Sequence, residues 1–253
     1  GSARGGAAAL PFLLLLPPFF EEEEEAPEAP EAPDAPAPRA ARPWTRAPLV
    51  ILVLSALQVS FYATGLSEHM AQTDGGRAPW WQYVTPMLSH PDVATLVCNI
   101  ATQLALCGAA EDAHGPHHTT LIYFASAVTG SIAHCAWADG EIAYVGASAG
   151  SYALVSVHSA HLLINRGDAA LWWPLAVAAI FIAQVLTYSL AVARDALAHP
   201  AHVYGAVHGA LGGLSLIDSG RALPMGRDAL RAAGAAGAIA TTFAAAVRCR
   251  ARG

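Results

Sequence analysis

YVGASAGSYAL, residues 144–154, sets a glycine on each side of Ser148 at the mouth of an apolar run. The pattern G-x-S-x-G serves soluble esterases, where the serine rides a strand-to-helix elbow, but also membrane proteases and plain close contacts between helices. Which of these applies decides the fold, and the answer lies in what surrounds the motif.

Hydrophobic residues make up 55% of the 253 and charged residues only 13%, with a mean hydropathy of +0.40. The charges crowd into the first 46 residues and short loops, which is the profile of a polytopic membrane protein. A soluble hydrolase of the α/β type needs alternating strands and an acid between serine and histidine. Asp168 and Asp195 stand in that order, yet no flanking stretch reads as a parallel sheet.

Working outward from Ser148, apolar segments recur near the roughly 17 to 25 residues a helix needs to cross the hydrocarbon layer. They cover 48–66, 91–110, 119–137, 148–165, 169–191 and 202–217, and a seventh, rich in alanine and glycine, covers 232–247. Before them, residues 1–47 read as a disordered tail: ALPFLLLLPPFF is too short and too broken by proline to span a bilayer, and the acidic Pro/Ala repeat after it cannot bury a core. After them, 248–253 reads as a short basic tail. The net charge of -6 owes much to the tract EEEEEAPEAPEAPDAP, and with no basic patch of useful size nucleic acid is excluded as a partner. Cys98, Cys107, Cys135 and Cys249 have no C-x-x-C spacing, and the first three lie in apolar segments. All four read as buried thiols, neither a disulfide framework nor a zinc site.

Arg39, Arg42 and Arg46 precede the first span, which argues for a cytosolic N-terminus. Strict alternation then places Arg166, Arg221 and Arg227 in cytosolic loops too. The loops holding His90, 139–146 and 195–201 face the extracytosolic side. From Ser148 one span carries the chain inward and the next returns it outward, so His202, 54 positions on, comes back to the face where Ser148 began. A serine hydroxyl becomes a nucleophile only with a general base in hydrogen-bond reach, and this coincidence of depth provides one. Ala201, Gly205, Gly209 and Gly213 recur every four residues, a stripe that lets two helix backbones approach closely in lipid. Thr95, Asn99 and Gln103 share one face of the second span, and polar groups at that depth are functional candidates. Asn99 and Thr95 are kept as candidate site residues, and Gln103 is read as a bridge between helices.

WQYVTPMLSHPDVATLVCNIATQLALCGAAE, GASAGSYAL and AHVYGAVHG together resemble the loop-and-second-helix signature, the G-x-S-x-G motif and the A-H-x-x-G-x-x-x-G motif of rhomboid intramembrane serine proteases. The resemblance runs from about Trp81 to Ile217, in order and in the matching spans. It implies an all-α membrane protein: a six-helix rhomboid bundle with a seventh C-terminal transmembrane helix, as in many eukaryotic members of the secretory type. It also implies Ser148 as nucleophile and His202 as its base, without a third acidic member. The side chain of Asn99 and the backbone N–H of Ser148 would hold the oxyanion, and Tyr152 would pack on His202. Around these, Gly146, Gly150, Gly205 and Gly209 support the site. His90 would make a water or structural contact, and Glu111 a structural one. Two positions depart from the family: Thr95 stands where a histidine commonly also points at the oxyanion, and Trp81-Gln82 replaces a Trp-Arg pair.

The expected activity is peptide-bond hydrolysis in the transmembrane segments of single-span substrates, within membrane lipids and with no cofactor or metal. The site would open to the extracytosolic side of a membrane the sequence does not name. Two alternatives stand beside it. Thr95 and Gln82 suit a catalytically weak or inactive adaptor. The eleven histidines, HGPHH (114–118) and the pair His158 and His161 above all, suggest a metal transporter, against which HGPHH falls in an expected cytosolic loop and His158 has no facing acid.

Overall fold

In hydrocarbon a backbone must satisfy its own N–H and C=O groups, and the described residues do so as helices, with no strand among them. The computed structural model describes residues 48–70, 78–137, 146–164, 199–216 and 226–252, with the single positions 179 and 182. Helix α1 is Leu49–Ala63 and the single turn α2 is Ser67–Met70. Two 3-10 turns, Trp80–Tyr83 and Thr85–Leu88, lead into α3, Val93–His114, and α4, Pro116–Trp137. Then come α5, Ser148–Ile164, α6, His199–Leu216, and α7, Arg227–Arg252. Six of the apolar segments thus coincide with helices. The tail 1–47 and, apart from positions 179 and 182, the segment 169–191 lie outside the described residues.

Two boundaries differ from the sequence reading. Helix α7 runs through the stretch read as a basic tail, because Arg248 and Cys249 are engaged by α4. The stretch HGPHH, expected as a loop, is almost entirely helical: His114 closes α3 and Pro116 opens α4. Only Gly115 separates them, at a φ of 83° that ends α3 where a side chain would be strained. Proline in the next position costs no hydrogen bond, because the first N–H of a helix has no partner inside it.

Many polar residues are buried beside the apolar core, and many large apolar ones face outward. Gln58, Gln103, Ser126, Ser151 and His158 are fully buried between helices, while Val53, Val97 and Phe243 are 60%, 60% and 68% exposed. Such an exterior suits a lipid solvent. By length and composition, Val93–Glu111 and Arg227–Ala251 are long and apolar enough to cross a membrane. Helices α4, α5 and α6 carry the serines, threonines and histidines that turn inward, among them Ser131, His161 and His208.

Small residues bring the helices around the site together. At Gly130 of α4, an added Cβ would lie 2.6 Å from the Ala149 Cβ of α5 and 2.9 Å from the Ala201 carbonyl oxygen of α6. At Gly205 it would meet the Ala149 carbonyl oxygen, and at Gly209 it would lie 2.7 Å from the Ala153 Cβ. Gly205 and Gly209 of the α6 stripe therefore pack directly on the backbone of α5. Helix α7 joins the far side of the same group through Thr129 and Thr242, whose hydroxyls are 2.9 Å apart.

Candidate active site

Helix α5 starts at Ser148 because of what precedes it. Gly146 sits at φ 119°, which an L side chain adopts only under strain, and its N–H donates to the Pro86 carbonyl at 3.0 Å. That bond ties the turn to the loop between α2 and α3. The loop is fixed in turn by Gln58 of α1, which donates to the Met87 carbonyl at 2.8 Å, and by Ser67, whose hydroxyl accepts from His90 N–H at 2.7 Å. The second glycine of the motif has a different reason. A Cβ at Gly150 would fall 2.7 Å from the Tyr123 Cζ, so only glycine lets α5 pass that buried ring.

Ser148 Oγ lies 2.7 Å from His202 Nε2. The start of α5 and the first turn of α6 thus bring a hydroxyl and an imidazole into the contact that proton transfer requires. The Tyr152 ring stacks on the His202 ring at 4.7 Å with 22° between planes, one helical turn below Ser148. Being the first residue of α5, Ser148 has an N–H outside the helical ladder, at the end of the helix where the dipole favours negative charge.

Asn99 is buried in the middle of α3. Its amide nitrogen donates to the Thr95 carbonyl at 3.0 Å, and its oxygen accepts from Ser151 Oγ at 3.2 Å. An amide nitrogen carries two hydrogens, so one stays free to point at a developing negative charge. Ser151, which the sequence reading did not single out, joins the candidate site through this contact. Its position three residues after Ser148, on the same face of α5, was the available signal. Thr95 is committed elsewhere: its N–H and hydroxyl both donate to the Asp92 carboxylate, at 2.8 and 2.9 Å, which caps α3.

His90 is 3% exposed, and neither ring nitrogen has a hydrogen-bond partner among the described residues. Burial lowers its pKa from the ordinary 6.5 to about 4, opposed by the nearby Asp92 carboxylate. Glu111 accepts from the Cys107 thiol at 3.3 Å, one turn earlier on α3. Gln82 is buried in the first 3-10 turn.

The reading of all four cysteines as free thiols is corrected. Cys135, near the end of α4, and Cys249, near the end of α7, form a disulfide with their Cα atoms 5.4 Å apart. The pairing spans 114 residues, and no local spacing announces it. Cys98 and Cys107 take part in no disulfide. Of the histidines weighed as metal ligands, His114 Nε2 meets His161 Nδ1 at 3.0 Å, and His158 Nε2 contacts the Leu106 carbonyl at 3.0 Å. Among the described residues no group of three or more His, Cys, Asp or Glu side chains is placed to hold a metal.

The family model of the rhomboid domain matches residues 77–219, more than half of the chain. The chain belongs to the rhomboid family. Rhomboid-related protein 1 of Caenorhabditis elegans is 27% identical over 201 residues, covering 66% of this chain and 54% of that protein. Rhomboid-related protein 3 of Mus musculus is 42% identical over 89 residues, 35% of this chain and 22% of that protein. Rhomboid-related protein 2 of Mus musculus is 30% identical over 164 residues, 58% of this chain and 52% of that protein. The rhomboid chain thus spans about half the length, or less, of these relatives. As a member of this family with a lipid-suited exterior, it is a membrane protein.

Proposed function

We propose that this rhomboid is an intramembrane serine endopeptidase that cleaves the transmembrane segments of single-span proteins. The observation that carries this reading is the 2.7 Å contact between Ser148 Oγ and His202 Nε2. His202 takes the serine proton as the hydroxyl attacks the carbonyl carbon. Negative charge moving onto the carbonyl oxygen is met by the Ser148 N–H at the start of α5 and by the free hydrogen of Asn99, whose orientation Ser151 fixes. The histidine then gives its proton to the leaving amine, and water releases the acyl-enzyme through the same base. Tyr152, stacked on the imidazole, holds its plane toward the serine. With Thr95 bound to Asp92, these two donors carry the oxyanion, which suits a slow or selective enzyme.

We read the chain as multi-pass, with α7 as its seventh transmembrane helix, a cytosolic N-terminus and the site opening on the extracytosolic side. The disulfide supports this orientation. Cys135 and Cys249 lie at the same ends of their helices as the active site, and disulfides persist in oxidising, extracytosolic compartments. A spanning helix hides its peptide bonds, so substrates with small or helix-breaking residues near the cleaved bond should be preferred.

The test compares wild type, Ser148→Ala and His202→Ala beside a membrane-anchored single-span reporter. Release of the reporter ectodomain by the wild type alone is the expected result. Equal release from all three removes the protease reading and leaves a binding role.

A further inference from the structure

The first turn of α6, which carries His202, is held by ring stacks on two sides. One is Tyr152 on His202; the other is Trp137, the last residue of α4, whose ring stacks on Tyr204 at 4.6 Å with 26° between planes. Trp137 is itself gripped from α7. The Arg248 guanidinium lies 5.3 Å from the Trp137 ring centroid, and Arg248 Nε donates to the Ala136 carbonyl at 3.0 Å. Next to these contacts on both helices, Cys135 is joined to Cys249. The Tyr83 hydroxyl from the loop before α3 comes within 3.3 Å of Cys249 Sγ.

The final turns of a helix fray most readily, and those of α7 are largely exposed apart from Ala245 and Cys249. A covalent tie at Cys249 keeps Arg248 on Trp137, and Trp137 keeps Tyr204 in place two residues from the histidine. We propose that the Cys135–Cys249 bridge is a redox clasp through which Arg248, Trp137 and Tyr204 act as positioning residues for His202. The proposal rests on the protease reading. Opening the clasp is a two-electron reduction. A dithiol attacks one sulfur, the S–S bond breaks, both cysteines leave as thiols, and the dithiol closes to its own cyclic disulfide. Full activity then belongs to the oxidising side of the membrane, and an enzyme still in a reducing environment is held back.

The experiment uses the full chain reconstituted in liposomes, as wild type, Cys135→Ala, Cys249→Ala, the double variant, Arg248→Ala and Arg248→Lys. Alkylation with a maleimide polymer, under denaturing conditions before and after dithiol treatment, counts the bridged cysteines independently of any activity. The wild type should expose two thiols before reduction and four after. Cleavage of the single-span reporter should show kcat lowered about 10- to 100-fold, as for a slightly misplaced base, with KM little changed. Both single variants and the double should lose the same amount, since each removes the same bond. Arg248→Lys, which keeps a cation over the ring, should recover more than Arg248→Ala. Four thiols in the untreated wild type overturn the clasp, and so does wild-type kcat in the cysteine variants. If the alanine variants fail to accumulate, graded reduction of the wild type reads the same point, and a kcat that stays constant as the bridge is lost refutes it. Failure of the protease reading looks different, because Ser148→Ala would then cleave like wild type while the bridge still counts as closed.

Discussion

Gly205→Ala is the most direct test of the idea that close helix contact makes the site. The new Cβ would run into the Ala149 carbonyl oxygen and lie 2.9 Å from the carbonyl carbon and Cα of the same residue. Carbon atoms in ordinary contact sit about 3.5 to 4.0 Å apart, so α5 and α6 must part by about 1 Å at this level. Gly205 is one turn from His202 and Ala149 adjoins Ser148. The same displacement carries the 2.7 Å contact between Oγ and Nε2 out to about 3.7 Å, beyond the roughly 3.2 Å limit for a working base. A misplacement of this size costs about 100-fold in rate, and kcat should fall by that amount. The comparison is Gly212→Ala further along α6, where the added Cβ would lie 3.2 Å from Ile122 Cγ1, a side chain able to give way. Its kcat should stay near wild type. The assay is reporter cleavage in liposomes, with thermal melting of each variant to establish that it folds. A Gly205→Ala protein that melts cooperatively and keeps wild-type kcat would refute the argument that backbone proximity sets the catalytic contact.

Asn99→Ala should lower kcat by about 100- to 1,000-fold, the usual cost of one lost oxyanion donor, and Ser151→Ala should lower it less, since the asparagine would remain but lose its orienting hydroxyl. Asp92→Ala removes the cap that binds both donors of Thr95, and should cost about 1 kcal/mol of stability by thermal melting. His90 titrates near 4 in the folded protein against an ordinary 6.5. The unfolded chain therefore takes up the proton first, and the neutral, buried ring contributes stability that is fully present above pH 6.5 and lost as pH falls toward 4. The loss should reach about 3 kcal/mol, and His90→Gln should flatten the melting temperature over that window relative to wild type.

Much of this protein was legible in its residues alone. Apolar runs near membrane thickness marked six helices, because a span must be apolar whatever its neighbours are. The motif glycines were visible too, although their two reasons, a positive φ at Gly146 and the Tyr123 ring at Gly150, required coordinates. Arg248 and Cys249 looked like a tail, since their partners lie more than 100 residues away on α4. The histidines of HGPHH looked like a loop, because glycine and proline usually break structure over several residues and here do so in one.

The sequence by itself determined the solvent, the number and order of the apolar segments, and the return of Ser148 and His202 to one level, because these follow from hydropathy and chain alternation. Only the tertiary structure decided which groups touch: the serine on the imidazole, Ser151 on Asn99, Thr95 on Asp92, and Cys135 on Cys249. Such contacts depend on how far each helix is rotated and how closely two backbones can approach. Those quantities are fixed by side chains distant in the chain, at separations where one ångström changes the chemistry.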